Sequence, residues 1–129
     1  MNKVLALAAA GEAAIGLVLL AYPPIVVWLL FGAEIAGAGV VMSRIAGISL
    51  IALGLACLPR SKRGSSGSDT GSSAVRALRA MLCYSLLATL YLAYLGIGGE
   101  RVGILLWPAV AVHAVLTILL GRMWFKRNQ

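Results

Sequence analysis

Four apolar runs, each close to the length of a bilayer-spanning helix, occupy most of this 129-residue chain, at about residues 4–22, 35–58, 75–96 and 102–123. A helix crossing a membrane needs roughly 20 mainly apolar residues at about 1.5 Å of rise each. Composition points the same way: the chain is 61% hydrophobic and 12% charged, with a mean hydropathy of +0.97. A water-soluble domain of this size would expose too much of that surface. The expectation is a single all-α membrane domain, a bundle of four transmembrane helices whose connections leave no room for a second, soluble domain. Met1-Asn2-Lys3 and the run from Val4 to Ala10 resemble a short signal peptide. The run resumes after Glu12 through Gly16-Leu17-Val18-Leu19-Leu20, and a full span is the better use of that length.

Positive residues are retained on cytoplasmic flanks, so their distribution orients the chain. Nine of the eleven Lys and Arg fall on one side: Lys3, Arg60, Lys62, Arg63, Arg76, Arg79, Arg122, Lys126 and Arg127. The opposite connections carry Glu34, Glu100 and Arg101, while Arg44 lies inside a run. Both termini are thereby expected in the cytoplasm, in a bacterial inner membrane. The formal charge of +7 reads as topology and implies no nucleic-acid partner.

The first outward connection contains Pro23-Pro24, which stops the first helix, and an apolar heptamer from Ile25 to Phe31 ending at Gly32. It is too short to span, and it fits a short interfacial helix between the first two spans; a re-entrant cap is the alternative. The inward connection, 60–73, holds a Gly/Ser tract and reads as a flexible tether, of native or engineered origin. Trp28, Trp107 and Trp124 fall where interfacial anchors belong. Gly37, Ser43, Ala46, Gly47, Ala52 and Gly54 make the second span the expected central helix, with Gly11, Ala14 and Gly16 letting the first approach it.

Three ionisable residues interrupt the runs. Counting about 1.5 Å per residue from the outer boundaries puts Glu12, Arg44 and His113 each roughly 15 Å deep, with Thr89 of the third span near the same plane. An unpaired charge at bilayer centre costs at least about 2.5–3.5 kcal/mol, so an ion pair between Glu12 and Arg44 is expected, supported by Thr89, Ser85 or Tyr84 and by His113. Such a cluster reads either as a clasp fixing helix register or as a ligand or proton site. His113 is the only histidine, so haem or quinone binding has little support and no cofactor is expected. Cys57 and Cys83 form no CxxC pair and read as buried free thiols. No phosphate-binding loop, HExxH or catalytic triad is present, so an enzyme ranks last.

The stretch from Ala21-Tyr22-Pro23-Pro24 through Trp28-Leu29-Leu30-Phe31-Gly32 to Arg44-Ile45-Ala46-Gly47 and Leu50 to Gly54 resembles the DoxX-like group of small bacterial four-helix membrane proteins. The resemblance rests on a Pro-terminated first helix and an Arg-x-x-Gly-x-x-Leu-x-x-x-Gly second helix. It covers the first half of the chain and implies a four-helix inner-membrane bundle, some relatives being tied to quinone-linked sulfur redox systems. Size and the placement of Glu12 are also similar to the small multidrug transporter family, although the long Gly/Ser loop and an Arg facing the Glu depart from it. Two functions follow as expectations. One is a structural or accessory subunit in contact with the lipid bilayer and a larger membrane complex or homo-oligomer. The other is a small proton-linked transporter or membrane ligand-binding protein using Glu12 and His113.

Overall fold

The computed structural model describes residues 2–58, 69–99, 102–127 and 129. Among them the chain forms five helices and no strand: α1 (Asn2–Ala21), α2 (Pro23–Phe31), α3 (Ala38–Cys57), α4 (Asp69–Gly98) and α5 (Leu106–Arg127). Of these, α1, α3, α4 and α5 are long and apolar enough to cross a membrane, which marks a multi-pass membrane protein.

The breaks between elements follow from local chemistry. Tyr22, at φ −142° and ψ 74°, leaves the helical region and separates α1 from α2, whose first two residues are prolines. Proline suits those positions, where the missing N–H would have no helical partner. Gly32 ends α2 in the left-handed region, φ 61°, with its N–H donating to the Trp28 carbonyl at 2.8 Å. Gly37, also at positive φ, delays the start of α3 to Ala38, three residues later than the apolar run alone suggests. The tract expected to be a flexible loop over 60–73 is helical from Asp69 onward, and its remainder, 60–68, lies outside the described residues. Extending a long helix fixes one residue for each hydrogen bond gained, which overrides the weak propensity of Ser and Gly.

Side-chain-poor stripes decide which helices meet. A Cβ placed on Gly47 would lie 2.7 Å from the Gly16 carbonyl oxygen, and one on Gly54 would lie 2.6 Å from that of Ala9. Reciprocally, a Cβ on Gly16 would stand 2.7 Å from the Gly47 oxygen. The α1 and α3 backbones therefore touch over two turns, the close approach on which helix pairing in lipid relies. Gly11 has open space beside it and Ala14 turns elsewhere, so Gly16 alone of the three small residues expected in α1 serves this contact. The central helix is α1, not the second span as the glycine count suggests: it packs most extensively on α3 and also touches α2, α4 and α5.

The second close pair is α4 with α5. Leu78, Met81 and Leu120 of this pair bury against Leu5, Ala8 and Ala9 of α1 and Cys57 of α3. Near the same end, the Cys57 thiol donates to the Ala77 carbonyl at 3.6 Å, and the Arg79 guanidinium lies 5.5 Å from the Trp124 ring centre. Cys57 is buried as expected, but Cys83 is exposed. At the far end, the N–H groups of Gly103 and Leu105 donate to the Leu30 and Leu29 carbonyls at 3.0 and 2.9 Å. These are carbonyls that a helix end leaves without intrahelical partners. Trp28 and Trp107 are exposed, while Trp124 is half-buried.

Filling the α1–α3 contact must push two backbones apart. Gly47→Val and Gly54→Val are expected to lower unfolding free energy by about 1–3 kcal/mol, whereas Gly11→Ala is expected to be neutral or slightly stabilising. Reversible unfolding in mixed micelles, followed by circular dichroism, measures both.

Candidate functional site

Glu12 sits midway along α1 on the stripe that also carries Leu5, Ala8 and Ala9, and only 4% of its surface is exposed. Its Oε1 lies 3.4 Å from Nε2 of His113, itself 8% exposed, which α5 projects inward. The other ring nitrogen, Nδ1, is 2.9 Å from the Ala109 carbonyl of the preceding turn. A carbonyl oxygen can only accept, so Nδ1 carries a proton and Nε2 is left to deal with the carboxyl group. Two arrangements satisfy the pair: a protonated Glu12 donating to a neutral imidazole, or an imidazolium facing a carboxylate. Both hold one proton between the same two atoms.

Tyr84 of α4 completes the cluster. Its ring meets the His113 imidazole edge-on, with centroids 6.0 Å apart and planes at 60°. Three helices thus contribute one side chain each, and both ring nitrogens of His113 have a protein group to face. Thr89 is not a member: its hydroxyl donates to the Ser85 carbonyl at 2.7 Å, a bond back to its own helix. Thr117 does the same toward the His113 carbonyl at 2.8 Å. Ser85, fully buried beside Tyr84 in sequence, has a hydroxyl with no hydrogen-bond partner among the described residues.

Arg44 does not meet Glu12, which corrects the ion pair expected from depth counting. The α1–α3 register explains why. Gly54 is opposite Ala9 and Ala13, and Gly47 is opposite Gly16, Leu19 and Leu20, so the antiparallel pairing places Arg44 level with Ala21. Along α1 that is nine residues, or about 14 Å, from Glu12. Rotation separates them as well. Gly47 and Gly54 define the stripe facing α1, and Arg44 stands on the neighbouring stripe with Val41, Ile48 and Leu55, all exposed. Among the described residues no carboxylate pairs with Arg44; the one ion pair is that of Glu12 with His113.

Beside the cluster lies a cavity of about 420 Å³ that sequence reading gave no sign of. Ala14, Ile15 and Val18 of α1, Val26, Leu29 and Leu30 of α2, Leu105 just before α5, and Pro108, Ala109 and Val112 of α5 line it, with His113 at its margin. Its walls are apolar apart from that imidazole, whose nitrogens are already engaged. No group of three or more His, Cys, Asp or Glu able to hold a metal occurs among the described residues. Comparison with protein-family models, with curated proteins and with solved structures gave no match to this chain.

The geometry makes a definite energetic claim. In a double-mutant cycle, Glu12→Gln and His113→Leu are expected to couple by about 0.5–2 kcal/mol in unfolding free energy. Glu12→Gln and Arg44→Leu are expected to add within about 0.5 kcal/mol, because the two side chains share no partner. Coupling of Glu12 to Arg44 as large as to His113 would refute the separation of Arg44 from Glu12.

Proposed function

We propose that this chain is a structural or accessory subunit of a membrane assembly, and that the Glu12–His113–Tyr84 cluster serves as its internal clasp. The carrying observation is that the one carboxyl group within a candidate span is nearly fully buried and already faces His113, against whose ring Tyr84 packs. A site that binds and releases protons or charged substrate needs a group with access to water, and Glu12 is only 4% exposed. The clasp instead joins α1, which is locked to α3 by backbone contact, to the α4–α5 pair. The inside-positive charge distribution favours a four-helix bundle in a bacterial inner membrane with both termini in the cytoplasm. The likeness of residues 21–54 to DoxX-like proteins is compatible with an accessory role. Long apolar faces on α3, α4 and α5, with Ile48, Leu55, Leu87, Leu90 and Ile118 exposed, are available to lipid or to a larger complex.

One observation favours a second reading, a membrane ligand-binding protein. The apolar cavity bounded by α1, α2 and α5 reaches His113 and has room for a small apolar molecule packed against the imidazole.

Native mass spectrometry after gentle extraction in the cell's own lipids separates the two. The accessory reading expects a stoichiometric complex with a second protein that survives Ala109→Phe, a substitution that fills the cavity. The ligand reading expects a small-molecule adduct that Ala109→Phe removes. A bare chain carrying neither would overturn both.

A further inference from the structure

A second cavity, of about 320 Å³, lies at the α1–α2 junction and is chemically unlike the apolar one. Tyr22, Pro24, Ile25, Trp28, Glu34 and Ile35 line it. The chain path builds it locally. Tyr22 is the residue that breaks α1 from α2, Trp28 follows Pro24 and Ile25 by about one helical turn on the same face of α2, and the left-handed Gly32 turns the backbone so that Glu34 and Ile35 border the same space. The residues of α2 that line the apolar cavity, Val26, Leu29 and Leu30, are on its opposite face, so the two spaces are separate.

The lining selects a class of ligand. Two aromatic side chains with accessible rings, Tyr22 at 62% and Trp28 at 54% exposure, stand beside one carboxylate. Aromatic faces attract cations, and a carboxylate adds a full opposite charge. Among the described residues no Lys or Arg is paired with Glu34. An anion would be repelled. A hard metal ion needs several oxygen ligands, and one carboxylate with a phenol does not supply them. An organic ammonium, which presents charge over a partly apolar surface, matches rings and carboxylate together.

Position narrows the source. The cavity caps α1, a candidate span, and therefore falls at headgroup depth. The α1–α3 register places the exposed Arg44 at the same level, beside the last residue of α1. Arg44 has no carboxylate partner among the described residues and offers the planar donor fork that suits a phosphate. A pocket of two aromatic rings and a carboxylate, with an arginine that has no carboxylate partner among the described residues in the same layer, matches the two charges of a zwitterionic phospholipid. We propose that the Tyr22–Trp28–Glu34 pocket binds the ammonium group of such a lipid, ethanolamine or choline in type, with Arg44 serving the phosphate layer.

The test uses the full-length chain in nanodiscs containing equal amounts of phosphatidylethanolamine and phosphatidylglycerol, with retained lipid counted by native mass spectrometry. Wild type is expected to retain the ethanolamine lipid about fivefold over the glycerol lipid. Glu34→Gln and Trp28→Leu are each expected to bring that ratio close to one, with unchanged helicity by circular dichroism. Glu34 is exposed, so Glu34→Gln carries the test even if Trp28→Leu does not fold. A wild-type ratio near one, or a ratio that Glu34→Gln leaves unchanged, overturns the proposal. A parallel arm places Trp107→Phe/Trp124→Phe protein, whose remaining tryptophan is Trp28, in discs of phosphatidylglycerol alone and titrates tetramethylammonium chloride against sodium chloride. A small, non-saturating fluorescence change supports the lipid as ligand. Tight saturation by the free cation that persists in ethanolamine-containing discs overturns the lipid assignment.

Discussion

A carboxyl group in the middle of a twenty-residue apolar helix has no water to hydrate it, and the rest of the structure is arranged around that fact. Glu12 must face a polar partner from another helix, and it finds His113 on α5, whose ring Tyr84 of α4 meets edge-on. Because the Nδ1 proton of His113 is held by the Ala109 carbonyl, the ring cannot turn away without abandoning a backbone acceptor in an apolar setting. The pairing therefore fixes rotation as well as proximity. A helix carrying Glu12 at any other azimuth would present a carboxyl group to hydrocarbon, and that alternative packing is excluded at a cost of several kcal/mol.

Backbone contact between α1 and α3 is the complementary constraint. Gly16, Gly47 and Gly54 have no side chains to hold the helices apart, so the two pack as a rigid pair before any polar group is considered. The same contact removes Arg44 from the interior. Once the Gly47–Gly54 stripe faces α1, the adjacent stripe with Arg44 faces outward, and the register carries it to the end of the span, where a guanidinium can reach polar surroundings. The acid and the base that look like natural partners in sequence are kept apart by two glycines.

How far the sequence could be read depended on which physical quantity each question required. The four long helices and the short α2 were legible, because apolar length, a proline pair and a glycine stop are local signals. Depth was only half legible. Counting from Glu34 overestimated how far Arg44 lies inside, since Gly37 delays the helix to Ala38. Rotation was not legible from counting at all, although Gly47 and Gly54, seven residues apart on one stripe, held the clue to it. Tyr84 and Thr89 illustrate the same point: both were candidates by level, and only the side-chain direction separates the member of the cluster from the residue bonded to its own helix. The helical start of α4 within a Gly/Ser tract was hidden because composition reports propensity and not the continuation of a helix already nucleated. The pocket at Tyr22, Trp28 and Glu34 depends on a chain reversal that composition does not reveal.

The hydrogen bonds from Gly103 and Leu105 to the terminal carbonyls of α2 carry an implication for synthesis order. Those acceptors belong to residues 29 and 30, whereas their donors are made more than seventy positions later. While the ribosome is still producing α3 and α4, the end of α2 has only solvent or lipid headgroups to bond with. Maturation of that end waits for the last span to begin, so a nascent chain truncated before residue 103 would leave its first third unfinished however well α1 and α3 had already paired.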